Sequence, residues 1–210
     1  MPDLELIHER LAPINAAMPQ VLTAARSGAV KALDAMGLPR REYRTLYANN
    51  FIGCARHTMP DVLEECAWKI NPAYNCLQLT DGDTGLKIRL LKRFAIEGNV
   101  PPSGGNKARM QAWSQSELIG ESSSSSRKPL EGVHLVLIWH EENEQLSCAA
   151  YLPKEAGSFP HSAKAEMVMK VPVTLPDDEF EGLRFATKEP AQTLTPVRNT
   201  VIEHARIKQL

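Results

Sequence analysis

Six cations stand within residues 85–109, Lys87, Arg89, Lys92, Arg93, Lys107 and Arg109, against Glu97 alone. A local excess of that kind is what a surface holding phosphate or carboxylate groups requires. Lys87, Arg89 and Arg93 alternate with apolar residues at the strand period, which predicts that they project from one face of a strand. Lys107 and Arg109 follow the turn-rich stretch GNVPPSGGN (98–106) and open a predicted helix. Cations there oppose the positive end of the helix dipole unless an anion sits beside them. The expected binding set is therefore Lys87, Arg89, Arg93, Lys107 and Arg109, with nucleic acid or an acidic protein surface as partner. Leu91, among the bases, is what an ordinary solvated face would also contain. These strands lack stacking aromatics, so base-specific reading of RNA is not expected.

The stretch TDGDTGLKIRLLKR (80–93) invites a calcium reading through Asp81 and Asp83. An EF-hand loop needs glycine at its sixth position and glutamate at its twelfth. Counted from Asp81, those positions hold Leu86 and Lys92. Turn hydrogen bonds account for the aspartates, and positive φ for the glycines. PPSGGNKAR fails as a phosphate loop, because Asn106 separates Gly105 from Lys107 and Ala108 replaces the hydroxyl residue. His134 and His140 share strand parity but lie six residues apart, about 20 Å along a strand, too far to ligate one metal. His140, Glu141 and Glu142 could form an acid–base cluster at a strand end, although HEENE also reads as a polar turn. A catalytic assembly would draw on His140, Glu142, Asp81 and Asp83. Cys54 and His57 lie near each other with Arg56 between them, yet a cysteine on a helix more often packs. The sequence points to no cofactor and no metal.

The elements that must carry these groups follow from periodicity. Asp3 caps a first helix that Pro13 is expected to end or kink. A second helix runs from about Asn15 to Met36 and stops at Gly37 and Pro39. A third covers residues 40–55, and PDVLEECAW (60–68) is a short fourth. YNCLQLT and GLKIRLLKRF alternate around DGDTG, the pattern of a β-hairpin. SSSSSRKP (122–129) is low-complexity, and residues 98–131 are expected to be a mobile loop around one short helix. GVHLVLIWH (132–140) is apolar on both faces, as a central strand is, and LSCAAYLP (146–153) follows EENEQ as a second strand. AEMVMKVPVTLP (165–176) contains Pro172, which makes it an edge strand or a non-strand. DDEFE is a solvated turn, and VRNTVIEHARIKQL closes as a helix.

Helices, then strands, then a helix predict an α+β fold. The expected layout is a helical segment over 1–70 and a mainly antiparallel sheet region over 71–210, in one compact domain. Net charge is −1 overall, with 16 Lys/Arg against 13 Asp/Glu in residues 1–128 and 8 against 12 in residues 129–210. The four cysteines have no CxxC spacing, no apolar run approaches the ~18–20 residues of a membrane span, and MPDLELIHER is not a signal peptide. A cytoplasmic protein is expected. The leading reading is a binding module for nucleic acid or another phosphate-rich or acidic partner. The alternatives are a small hydrolase or nuclease without a standard signature, and a regulatory protein-binding subunit of inhibitor or toxin–antitoxin type. In the last, the Pro172 edge and the terminal helix would form the contact.

Overall fold

The computed structural model describes residues 2–63, 66–72, 76–94, 100–105, 107–114, 128–142 and 145–173. These belong to one compact unit, Met1–Leu175. The closing helix expected over 197–210 and the DDEFE turn lie outside the described residues. The fold is α+β. Two long helices, α1 (Leu4–Ala35) and α2 (Arg44–Val62), precede strands β1 (Trp68–Ile70), β2 (Gln78–Asp81) and β3 (Lys87–Lys92). A short helix α3 (Lys107–Ser114) leads to β4 (His134–Glu142), β5 (Gln145–Pro153) and β6 (Ala165–Val171).

Asp3 caps α1 as expected, its carboxylate accepting from the Leu6 amide at 3.1 Å. The expected break at Pro13 does not occur, because α1 runs unbroken through Pro13 and Pro19. Each interior proline costs a helix about 3 kcal/mol. Ten buried apolar residues from Ile7 to Leu33 hold α1 in place, at about 1.5–3 kcal/mol for each large side chain. Tertiary packing outweighs local propensity here. Gly37, at φ +66°, ends the helix in a Schellman turn, with Leu38 N–H donating to Leu33 O and Gly37 N–H to Asp34 O, both at 3.0 Å. The two helices expected over 40–68 are one helix, α2, and Trp68 opens strand β1 instead of closing a helix. Gly28 allows α1 and α2 to touch, since a Cβ there would stand 2.7 Å from Cys54 Sγ.

The sheet is six-stranded with spatial order equal to chain order. It is mixed, which corrects the mainly antiparallel expectation. The hairpins β1–β2, β2–β3, β4–β5 and β5–β6 are antiparallel, but β3 and β4 pair in parallel at the centre. The connection between them carries α3 and returns the chain to the same end of the sheet, as a parallel crossover must. Residues 100–105, expected to be mobile, are anchored: Ser103 N–H donates to Ala156 O at 2.8 Å and Ala163 N–H to Val100 O at 3.0 Å. Residues 115–127 of the expected loop lie outside the described residues.

The parity read for β3 holds. Ile88 and Leu90 are buried against α1 and α2 with Leu79, Leu135, Leu137 and Trp139, while Lys87, Arg89 and Leu91 face the other way. On that outer face Trp113 of α3 packs with Val136 and Ile138 in a smaller apolar cluster. Strand β6 is an edge ending at Val171, directly before Pro172.

Candidate functional site

The outer face of β1–β3 collects a basic surface. Cross-strand partners share a face, and the register aligns Lys69 with Thr80, Thr80 with Lys87, and Lys87 with His134. In the next row on the same face Gln78 stands opposite Arg89. Lys69 is exposed, and Thr80, Lys87 and Arg89 are half-buried. Above them, Arg109 of α3 lies over the Trp113 ring, 5.9 Å from its centroid. Burial lowers the Arg109 pKa, the Arg89 charge lowers it further, and Cys76 opposes both. Two guanidiniums are thus held close enough to repel. The Nε atom of Arg89 is buried without a hydrogen-bond partner among the described residues. His134, beside Lys87, has its pKa lowered to about 4 by burial first and by the Lys87 charge second.

The expected binding set divides along β3. Lys87 and Arg89 share the face that Arg109 approaches, and exposed Lys107 begins α3 two residues before Arg109. Arg93 lies beyond the far end of β3, where its guanidinium meets Glu142 at 4.0 Å and its backbone N–H donates to Trp139 O. Sequence reading missed Lys69, because residues 60–68 were assigned to a helix and no register reached across to it. The period-2 pattern W-K-I was the available signal.

The four candidate catalytic residues do not assemble. Asp81 and Asp83 belong to the hairpin turn at the Lys87 end of β3, whereas His140 and Glu142 lie beyond its Lys92 end. That separation is about 20 Å of strand. Asp81 is buried and supports the turn: one oxygen accepts from the Asp83 amide at 3.1 Å and the other from the Thr84 hydroxyl at 2.6 Å. Asp83 pairs with Arg10 at 2.9 Å on the surface. Gly85, at φ +78°, completes the turn with a Cβ position 3.2 Å from Glu131 Cα, leaving little space for a side chain. His140 contacts the Ser147 hydroxyl at 2.8 Å, and burial and Arg93 lower its pKa while Glu142 opposes them. No group of three His, Cys, Asp or Glu suited to a metal occurs among the described residues.

A second polar cluster lies on the opposite, helix-covered face. Strand β4 continues through Glu142, so HEE is strand where the sequence reading allowed a turn. Glu141 therefore points inward with Leu135, Leu137 and Trp139. Its side chain is only 4% exposed. One carboxylate oxygen accepts from Arg26 Nε at 2.9 Å. The other accepts from the Tyr47 hydroxyl at 2.9 Å and from Arg40. Burial alone would raise the Glu141 pKa, but hydrogen bonds from Arg40 and Tyr47, the Arg40 charge and the Arg26 hydrogen bond leave it below the ordinary carboxylate value. Burial and the neighbouring carboxylate push the Tyr47 phenol well up. Arg26 and Arg40 gather here, with Arg44 near Lys92, on the face away from Lys87 and Arg89.

Comparison of the chain with protein families, curated proteins and solved structures finds no match. Among the described residues, no helix is long and apolar enough to cross a membrane.

Proposed function

We propose that this protein is a binding module that holds a phosphate-rich polyanion, nucleic acid foremost, across the outer face of β1–β3. One observation carries the reading: the register sets Lys69, Lys87 and Arg89 on one face of three adjacent strands, with Arg109 above them. None of Lys69, Lys87 and Arg89 takes part in an ion pair among the described residues. A chain placed along these strands would meet cations about 5–10 Å apart, the spacing of alternate residues and adjacent strands. Such contacts neutralise phosphates and carry no base information, so binding would be insensitive to sequence.

The test is a fluorescence-anisotropy titration of single- and double-stranded DNA and RNA against wild type and Lys69→Ala/Lys87→Ala/Arg89→Ala. Each single-strand phosphate contact adds about 0.7 to the salt exponent, so three lost contacts at ~0.1 M salt should weaken binding on the order of 100-fold. Equal affinity of the two proteins, or no binding by wild type, rejects the proposal. The hydrolase alternative gains no support from the separated carboxylate and histidine pairs.

A further inference from the structure

The Glu141 cluster has more positive charge than its anchoring role needs. Glu141 pairs with Arg26 and Arg40, and the neighbouring Arg44 and Lys92 take part in no ion pair among the described residues. Lys92 lies 5.8 Å from the centroid of the Trp139 ring; burial lowers its pKa first, the Arg44 and Arg40 charges lower it further, and Glu141 opposes them. The arrangement is also fixed in place. Arg40 stacks on Tyr47, its guanidinium carbon 4.1 Å from the ring centroid, and Tyr47 meets Trp139 edge-on at 6.3 Å. Trp139 in turn stacks on Phe51 at 3.8 Å.

Glu141 engages Arg26 through Nε and Arg40 through one terminal nitrogen. A guanidinium carries five N–H donors in a rigid fork, so among the described residues most donors of both arginines remain for another acceptor. Arg44 uses Nε on the Arg41 carbonyl at 3.2 Å, which leaves its terminal nitrogens. Arg44 and Lys92 are exposed, and the Arg40 side chain is 39% exposed, so the cluster opens to solvent on this side. The first turn of α2 adds to the same field: it begins at Arg44, contains no acidic residue and has no side-chain cap.

We infer that the seam where Arg40, Arg44 and Lys92 meet at the Glu141 end of β4 is a receptor for a phosphate dianion. Arg40 and Arg44 supply forked donors, Lys92 supplies a point charge, and Glu141 positions Arg26 and Arg40 from beneath. A dianion fits the surplus better than a carboxylate does, and paired arginines match phosphate geometry. This site stands on the opposite face from the polyanion surface and does not depend on that reading.

The experiment is calorimetric titration of the full chain, in phosphate-free buffer, with inorganic phosphate, a nucleoside monophosphate, a 5′-phosphorylated oligonucleotide and its 5′-hydroxyl counterpart. Inorganic phosphate should bind, and Arg44→Ala/Lys92→Ala should weaken it at least about tenfold. The Lys87→Ala/Arg89→Ala protein should bind it like wild type. Affinity for the nucleoside monophosphate should fall between about pH 7.5 and pH 5.5, as its phosphate dianion takes up a proton near pH 6. Preference for the monophosphate over free phosphate, or for the 5′-phosphorylated strand over its 5′-hydroxyl counterpart, identifies which carrier presents the group. Urea unfolding of each variant checks that it is folded, and Arg44→Gln and Lys92→Gln singly serve if the double variant is not. No heat at about 10 mM phosphate, or undiminished binding by the Arg44 and Lys92 variants, overturns the inference.

Discussion

The two faces of the sheet treat charge in opposite ways. On the helix-covered face, the cations converge on one buried carboxylate that ties α1, the 36–43 connection and α2 to β4. On the outer face, Lys69, Lys87 and Arg89 line up across strands and take part in no ion pair among the described residues. The first arrangement should govern stability as well as ligand binding, because removing one member leaves a buried charge without its partner. The second should govern binding more than folding, because Lys69 is exposed, Lys87 and Arg89 are only half-buried, and charges in contact with solvent add little to folding.

Changes on the helix-covered face should be the most damaging to folding. Phe51→Ala removes the ring stacked on Trp139 and should cost about 3–5 kcal/mol in urea unfolding. Glu141→Gln should cost about 2–3 kcal/mol, less than for a fully enclosed pair, because Arg26 and Arg40 reach solvent. A Glu141→Gln protein as stable as wild type would remove the proposed contrast between the faces.

The outer face should have an acid-dependent component. His134 has a folded pKa of about 4, depressed from its ordinary 6.5. The folded state therefore binds fewer protons than the unfolded chain between those values, and stability rises with pH there. This contribution is complete above pH 6.5 and is lost as pH falls towards 4. On the order of 2 kcal/mol should disappear across that window, the full shift being discounted for partial exposure. Wild type should lose stability relative to His134→Gln as pH falls from 6.5 towards 4, read from unfolding midpoints. Identical pH profiles for the two would show that burial does not keep His134 neutral.

The smallest stability effects belong to the basic row. Lys69→Ala and Lys87→Ala should each change unfolding free energy by no more than about 0.5 kcal/mol. A larger loss would mean that these lysines make structural contacts, which would weaken their assignment to binding.

Local pattern carried much of this architecture. The β2–β3 hairpin, the parity of β3, the strands at 132–140 and 146–153 and the edge position before Pro172 were legible, because each depends on alternation or turn chemistry within a few residues. Three features were not. Helix α1 passes two prolines because distant apolar partners hold it. The parallel β3–β4 pairing depends on where a long connection re-enters the sheet. The Glu141 cluster joins residues separated by 94 to 115 positions. One local clue to Glu141 was available: the inward series Leu135, Leu137 and Trp139 extends by parity to residue 141. The candidate site was half legible, since Lys87, Arg89, Lys107 and Arg109 could be read while Lys69 needed the register.

The most direct test of the outer-face account is the salt dependence of nucleic-acid binding. The logarithm of affinity should fall linearly with that of salt concentration, and replacing Lys69, Lys87 and Arg89 by alanine should reduce the slope by about 2 on a single strand. An unchanged slope in that variant would contradict the account.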